Sequence, residues 1–315
     1  MKSMKRLFAA IFVVVCFGIS CKNKSVPATS DKFSLLWEIT GNGLKNPSYL
    51  FGTIHIYDTG VFEIPKEVFD LANDCDNLAL ELDVNNIDFV VMSKAMINEY
   101  PDSVLDKLLP EKIYRELMTI PMIKLMGNQV DLIKPVYLYS YLMIDDPGSL
   151  SSVESVLNDH ALSLKKKVIG IETLEEQIEA VDRMPISEQI QGIIDLYDYC
   201  DRENMSLAEG GKKILNELLT TYKNQDFETL LSLEEKYKMT SSSGSVDSAM
   251  VAERNIRIAD RISEHIQQGQ SMFSAVGALH LPDYKGMQGV VNLLKEKGYD
   301  LRPLSVNLAR SEELK

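Results

Sequence analysis

Two stretches more than two hundred residues apart constrain this chain more than any other feature of it. Ser48–Ile56 is an apolar run containing Gly52-Thr53-Ile54-His55, and Met272–Val276 runs in the same way into Gly277-Ala278-Leu279-His280. Each reads as a buried strand with a glycine near its end and a histidine three residues further on. With 17 Gly among 315 residues and four His in all, two such spacings are expected by chance at roughly the 2% level. A histidine leaving a buried strand is held rigidly at a sheet rim, where ligands bind. Glycine lets a second backbone or a substrate come close. The two histidines read as halves of one site, and the fold must bring both strand ends together.

The surrounding pattern predicts an α+β, mixed α/β architecture: a central mixed sheet carrying both motifs, surrounded by helices. Phe33–Thr40 and Ser48–Ile56 form a hairpin across Gly41-Asn42-Gly43 and Asn46-Pro47. A helix starts at Pro65, and Asn77–Leu82 is a short apolar strand containing Glu81. An acid within Leu-Ala-Leu-Glu-Leu is costly to bury unpaired, so Glu81 must meet a cation, a metal or a hydrogen-bond donor. Ile87–Thr240 is a mainly helical insertion broken by Pro101, Pro110, Pro121, Pro135 and Pro185. Within it Met92, Met96, Met118, Met122 and Met126 read as core filling, and His160 as a structural histidine on a helix. Lys167–Ile171 is a strand leading to Glu172, a further site candidate. Capping of the helix that begins at Thr173-Leu174-Glu175-Glu176 is the competing explanation for that acidic cluster.

After a flexible break at Ser241–Ser245, a helix from about Ser248 to Gln268 places Ile258, Ile262 and Ile266 on one face and Arg254, Arg257 and Arg261 on another. His265 reads as a favourable cation at the end of that helix. The last elements are a Gly286–Lys297 helix, whose N-terminus could favour negative charge at the site, and a Tyr299–Val306 strand. One domain over residues 33–310 is expected.

Residues 1–21 combine a basic start, an apolar run from Leu7 to Ile19 and Ser20-Cys21. That is a secretory signal rather than a spanning helix. Gly18-Ile19-Ser20-Cys21 reads as a relaxed lipobox, with Cys21 as the lipidation site and residues 22–32 as a flexible tether. This predicts export and attachment to a bacterial cell-envelope membrane through an N-terminal lipid. Setting aside Lys2, Lys5 and Arg6 with the first twenty residues takes the formal charge from −13 to −16, which argues against nucleic acid as a partner. The two remaining cysteines, Cys75 and Cys200, could form a disulfide or stay as two buried thiols.

Leu36-Trp37-Glu38-Ile39, Tyr49–His55, Leu80-Glu81-Leu82-Asp83, Gly170-Ile171-Glu172-Thr173 with Glu176-Gln177, Arg254-Asn255, and Ala275–Pro282 with Gly298-Tyr299 together resemble the TraB/GumN family. That family includes the Wnt-cleaving Tiki metalloproteases and is remotely similar to erythromycin-esterase and ChaN-like proteins. The likeness spans about Leu35 to Val306. The family usually has Gly after the proline corresponding to Pro282, where this chain has Asp283, so the loop there could carry different substrate contacts.

His55, His280 and Glu81 make a reasonable three-ligand set for a divalent metal with an open position for water. Zinc, manganese, cobalt and iron all suit it. Such a site implies hydrolysis, and the resemblance to Tiki implies a peptide or protein substrate. Glu172 or Glu38 could serve as general base, and Arg254 and Asn255 could hold a substrate carboxylate or pair with a buried acid. Two alternatives stand beside this. In one, His55 deprotonates water while Glu81 orients or protonates, without a metal. In the other, a non-catalytic lipoprotein binds haem, iron or a secreted peptide.

Overall fold

The computed structural model describes residues 33–98, 104–143, 151–237, 246–284 and 286–314. The signal, the lipobox with Cys21, the tether and the Ser241–Ser245 break lie outside them.

Six strands form one sheet: β1 (Leu36–Gly41), β2 (Ser48–Thr53), β3 (Asn77–Leu80), β4 (Lys167–Gly170), β5 (Met272–Gly277) and β6 (Tyr299–Leu304), in the order β4-β3-β5-β2-β1-β6. β3 pairs parallel with β4 and β5, and β5 pairs parallel with β2, while β1 runs antiparallel to both β2 and β6. The expected hairpin is therefore present, and so is the mixed sheet. β5 comes late in the chain yet inserts between β2 and β3. Gly52 pairs with Val276 and Thr53 with Gly277, so the two motifs leave the same end of the sheet side by side.

The sequence explains why these strands are central. Every residue of β2, β3 and β5 is buried, as expected of parallel strands covered on both faces. Alternate side chains feed two cores. Tyr49, Phe51, Leu78, Leu80, Phe273 and Ala275 face the larger core, built with the helical insertion. Leu50, Ala79, Met272 and Val276 face the smaller one, closed by Ile258, Ile262 and Ile266 of the helix Val246–Gln267 and by the helix Val290–Glu296. Met92 and Met96 are buried in the larger core, with Met118, Met122 and Met126 packed against it.

Several element ends differ from expectation, and the differences matter. β2 ends at Thr53 and β3 at Leu80, so His55 and Glu81 stand just beyond their strands. The last helix starts at Val290 rather than near Gly286, and its Gly289 N–H donates to the Asp283 carboxylate at 2.8 Å. Asp283 thus accepts from the amide at the start of that helix. Cys75 and Cys200 are both free and buried, with burial pushing their thiols up to about 12 and about 11. No disulfide links them. Among the described residues no helix is long and apolar enough to cross a membrane.

Two insertion helices, Pro135–Met143 and Leu207–Lys223, touch backbone to backbone at Gly211, where an added Cβ would lie 2.1 Å from the Leu142 carbonyl oxygen. Gly211→Ala must push these helices apart, and an overpacking cost of about 1–3 kcal/mol or more is expected. Thermal unfolding of the variant should show a clearly lowered midpoint, and an unchanged midpoint would contradict this packing.

Candidate active site

His55, Glu81 and His280 converge at the shared end of β2, β3 and β5, each at most 4% exposed. The His55 and His280 Nε2 atoms stand 4.0 Å and 3.9 Å from the same oxygen, Oε1 of Glu81. Gly277 closes the floor between them. A Cβ there would sit 3.2 Å from Glu81 Oε1, 3.2 Å from His55 Nε2 and 3.4 Å from His280 Cδ2, so a side chain would fill the space where the three groups meet.

Each imidazole is held from behind. Nδ1 of His280 lies 2.6 Å from Asn255 Oδ1, and the Asn255 amide nitrogen donates to the Gln288 carbonyl at 2.8 Å. The amide orientation makes Oδ1 the acceptor, which puts the imidazole proton on Nδ1. Nδ1 of His55 lies 2.8 Å from Oε1 of Glu154, which also accepts from the Thr53 hydroxyl at 2.5 Å. In the neutral form of both rings Nε2 is then the acceptor nitrogen, and both face an anionic oxygen.

The acids are held in an equally ordered way. Beyond β3 and β4 the ladder continues for two bonds, Ile171 N–H to the Leu80 carbonyl and Glu172 N–H to the Glu81 carbonyl at 2.7 Å, which sets Glu172 beside Glu81. Arg254 lies between them. Its Nη2 donates to Glu172 Oε2 at 2.5 Å and to Glu81 Oε2 at 3.2 Å, and its Nε donates to both Glu172 oxygens. Arg257 adds a bond to Glu172 at 3.1 Å, and the Gln177 amide donates to both acids at 3.3 Å. The Gly277 N–H donates to Glu81 Oε1 at 2.6 Å.

These contacts set the protonation states. Burial alone would raise the Glu81 pKa, but His55, Arg254, His280 and the Gly277 N–H outweigh it and hold it at about 2. Glu172 is likewise lowered, burial being overcome by Arg254. Burial and the Arg254 charge lower His280 to about 4. Burial would depress His55 too, yet the charge and hydrogen bond of Glu154, with Glu81, raise it overall.

Of the residues singled out in the sequence, His55, Glu81, His280, Glu172, Arg254 and Asn255 meet in this one cluster. Arg254 and Asn255 are 4% and 2% exposed and grip the acids and His280 rather than lying open to a ligand. Glu172, held by two guanidinium groups, is a weak base here. Glu38 stands on β1 in an ion pair with Arg302 at 2.7 Å, two strands from β5. Thr173 and Glu176 do form a capping box, and Glu176 also makes a two-pronged pair with Arg261; capping thus explains Glu176 but not Glu172. His160 bonds Asn73 at 2.8 Å, away from the site. Glu154 and Thr53 did not stand out in the sequence. Glu154 reads there as an ordinary first-turn helix acid, and Thr53 was the one clue, lying inside the first motif.

Residues 35–303 match the TraB/PrgY/gumN family over most of the chain. The chain belongs to that family. The chain is also similar to the "Metalloprotease TIKI homolog" of Amphimedon queenslandica, 25% identical over 328 aligned positions that cover 87% of this chain and 62% of the relative. The chain therefore spans less than two thirds of that relative's length. No solved structure matches significantly.

The arrangement predicts a specific acid sensitivity. Glu176, hydrogen-bonded by Arg261, sits at about 2, below its ordinary 4.5. A carboxyl lowered in the folded state contributes stability that is complete above about 4.5 and drains as pH falls toward 2. Arg261→Ala should flatten the loss of stability between about pH 5 and about pH 3 in urea titrations. Equal slopes in both proteins would contradict the pairing. Arg254→Met leaves Glu81 and Glu172 buried with less compensation and should cost about 3–5 kcal/mol.

Proposed function

We propose that this protein is a metal-dependent hydrolase acting on peptides, with His55, His280 and Glu81 as the metal ligands. The observation that carries this is the convergence of two acceptor nitrogens and one anionic oxygen on a space that Gly277 keeps clear. Three groups presenting lone pairs to one another repel unless a proton or a cation lies between them. The buried charge agrees: Glu81, Glu154 and Glu172 are each at most 6% exposed, against Arg254 as the buried guanidinium and a partly exposed Arg257.

The donor set fits a divalent ion in kind, since each imidazole carries the Nδ1 hydrogen-bond acceptor typical of metal-ligating histidines. The spacing is wider than in a formed site. Two ligands on one tetrahedral ion stand about 3.4 Å apart, and among the described residues no three His, Cys, Asp or Glu side chains stand at metal-ligating spacing. A divalent ion held there would supply a Lewis acid for polarising a scissile carbonyl and activating water. The chain's own contribution is positional. Asn255 and Glu154 aim the imidazoles, Gly277 and Arg254 fix the two Glu81 oxygens, and burial excludes bulk water. Glu172 holds Arg254.

The family and the Tiki-type relative favour a protease or related hydrolase, and the peptide substrate is taken from that likeness. In the metal-free alternative Glu81, with its pKa held at about 2, would orient rather than protonate. We further propose export and envelope anchoring through Cys21, on the strength of the Leu7–Ile19 run and Ser20-Cys21.

His55→Ala and His280→Ala should each lose bound metal, read by plasma mass spectrometry, and lose peptide cleavage, while circular dichroism stays as in wild type. Full metal occupancy in either variant would refute the shared site. Cys21→Ala should move the protein from the membrane to the soluble fraction of cells, and an unchanged distribution would count against the anchor.

A further inference from the structure

The two motif histidines differ in what stands behind them. His280 is backed by the neutral amide of Asn255, His55 by the carboxyl group of Glu154 at 2.8 Å. Glu154 comes from the first turn of the helix Val153–Ser163 in the insertion, 99 positions from His55, and Ser152 caps that helix by accepting from the Ser155 N–H. The helix start is thereby satisfied without the Glu154 side chain. Thr53, inside the first motif, donates its hydroxyl to the same Glu154 oxygen at 2.5 Å. The corresponding position of the second motif is Ala278, which has no hydroxyl to give.

The carboxyl is 94% buried by its 6% exposure, and its Oε2 has no hydrogen-bond partner. Burying an acid with one oxygen unsatisfied is costly, and an apolar or amide side chain would fold more cheaply there. What the acid supplies is an acceptor for one imidazole proton. That acceptor holds the proton on Nδ1, leaves Nε2 directed at Glu81 and makes Nε2 more electron-rich.

We propose that Glu154, itself set by Thr53, is the positioning residue that fixes the tautomer and direction of His55. The proposal deepens the metal-site reading, on which its affinity arm rests, but its first readout needs no metal. The chain has four histidines, so ring nitrogen resonances of 15N-histidine-labelled, metal-free full-length protein can be assigned one by one. At a pH where imidazoles are neutral, wild-type His55 should be the Nδ1–H form. Glu154→Leu should move His55 toward the Nε2–H form while His280 keeps its own, and Glu154→Gln, which retains an acceptor oxygen, should restore the wild-type form. Titration with Mn2+ alone should then show affinity lowered about 10- to 100-fold in Glu154→Leu and largely recovered in Glu154→Gln.

His55 found as Nε2–H in wild type overturns the proposal whether or not the leucine variant folds. An unchanged His55 tautomer in folded Glu154→Leu overturns it as well. The expected tautomer changes without Mn2+ uptake by any protein would uphold Glu154 as the positioning residue and refute the metal-site reading instead.

Discussion

The Arg254 guanidinium is the interaction on which the site depends. It lies between Glu81 and Glu172, donates to both and is 4% exposed. Two carboxylates brought together away from water would repel strongly and drive up each other's pKa, and the sheet end could not hold them charged. Its neighbour Asn255 follows on the same helix and grips His280. Two successive residues therefore couple the acid pair to one of the imidazoles, and the Val246–Gln267 helix that carries them is seated by Ile258, Ile262 and Ile266 in the smaller core.

Around that clamp the site draws on remote segments: two strand-end turns, the end of β3, the continuation of β4, the first turn of an insertion helix and the arginine helix. What unites them is strand order. β5 inserts between β2 and β3, and parallel strands deliver their following residues to one end of the sheet, where ligands of α/β proteins bind. The insertion contributes Glu154 at the site and, through the buried Tyr222 hydroxyl, a 2.8 Å bond to the Gly52 carbonyl. It holds the first motif in place as well as covering the sheet. The same enclosure gives the site a low dielectric, so each ion pair and hydrogen bond within it is stronger than in water.

Much of this was legible in the chain. The strands β2, β3 and β5 are continuous apolar runs because both faces are covered, and such runs are visible without coordinates. The paired Gly-x-x-His spacing pointed to His55 and His280, and the expense of an acid within Leu-Ala-Leu-Glu-Leu pointed to Glu81. The spacing of residues 254, 257 and 261 put three arginines on one helix face, and of the two roles open to Arg254, a buried acid or a substrate carboxylate, the structure shows it on Glu81 and Glu172. Less legible was what each polar group touches. Glu38 and Glu172 were both candidates for general base, yet one faces Arg302 at the outer strands and the other is enclosed by Arg254 and Arg257.

The sequence by itself determined which segments are buried and which residue types reach the strand ends, because hydrophobic period and the cost of burying charge act locally along the chain. Only the tertiary structure decided the order of strands and the partners of each polar atom. Glu154 shows why: its local setting is that of any first-turn acid, and its meaning comes from a contact across 99 residues that no local preference encodes. Likewise, the setting of Glu81 just past β3 depends on its neighbours on both sides, the Glu172 N–H on its carbonyl and the Gly277 N–H on its side chain, a property of three strands together.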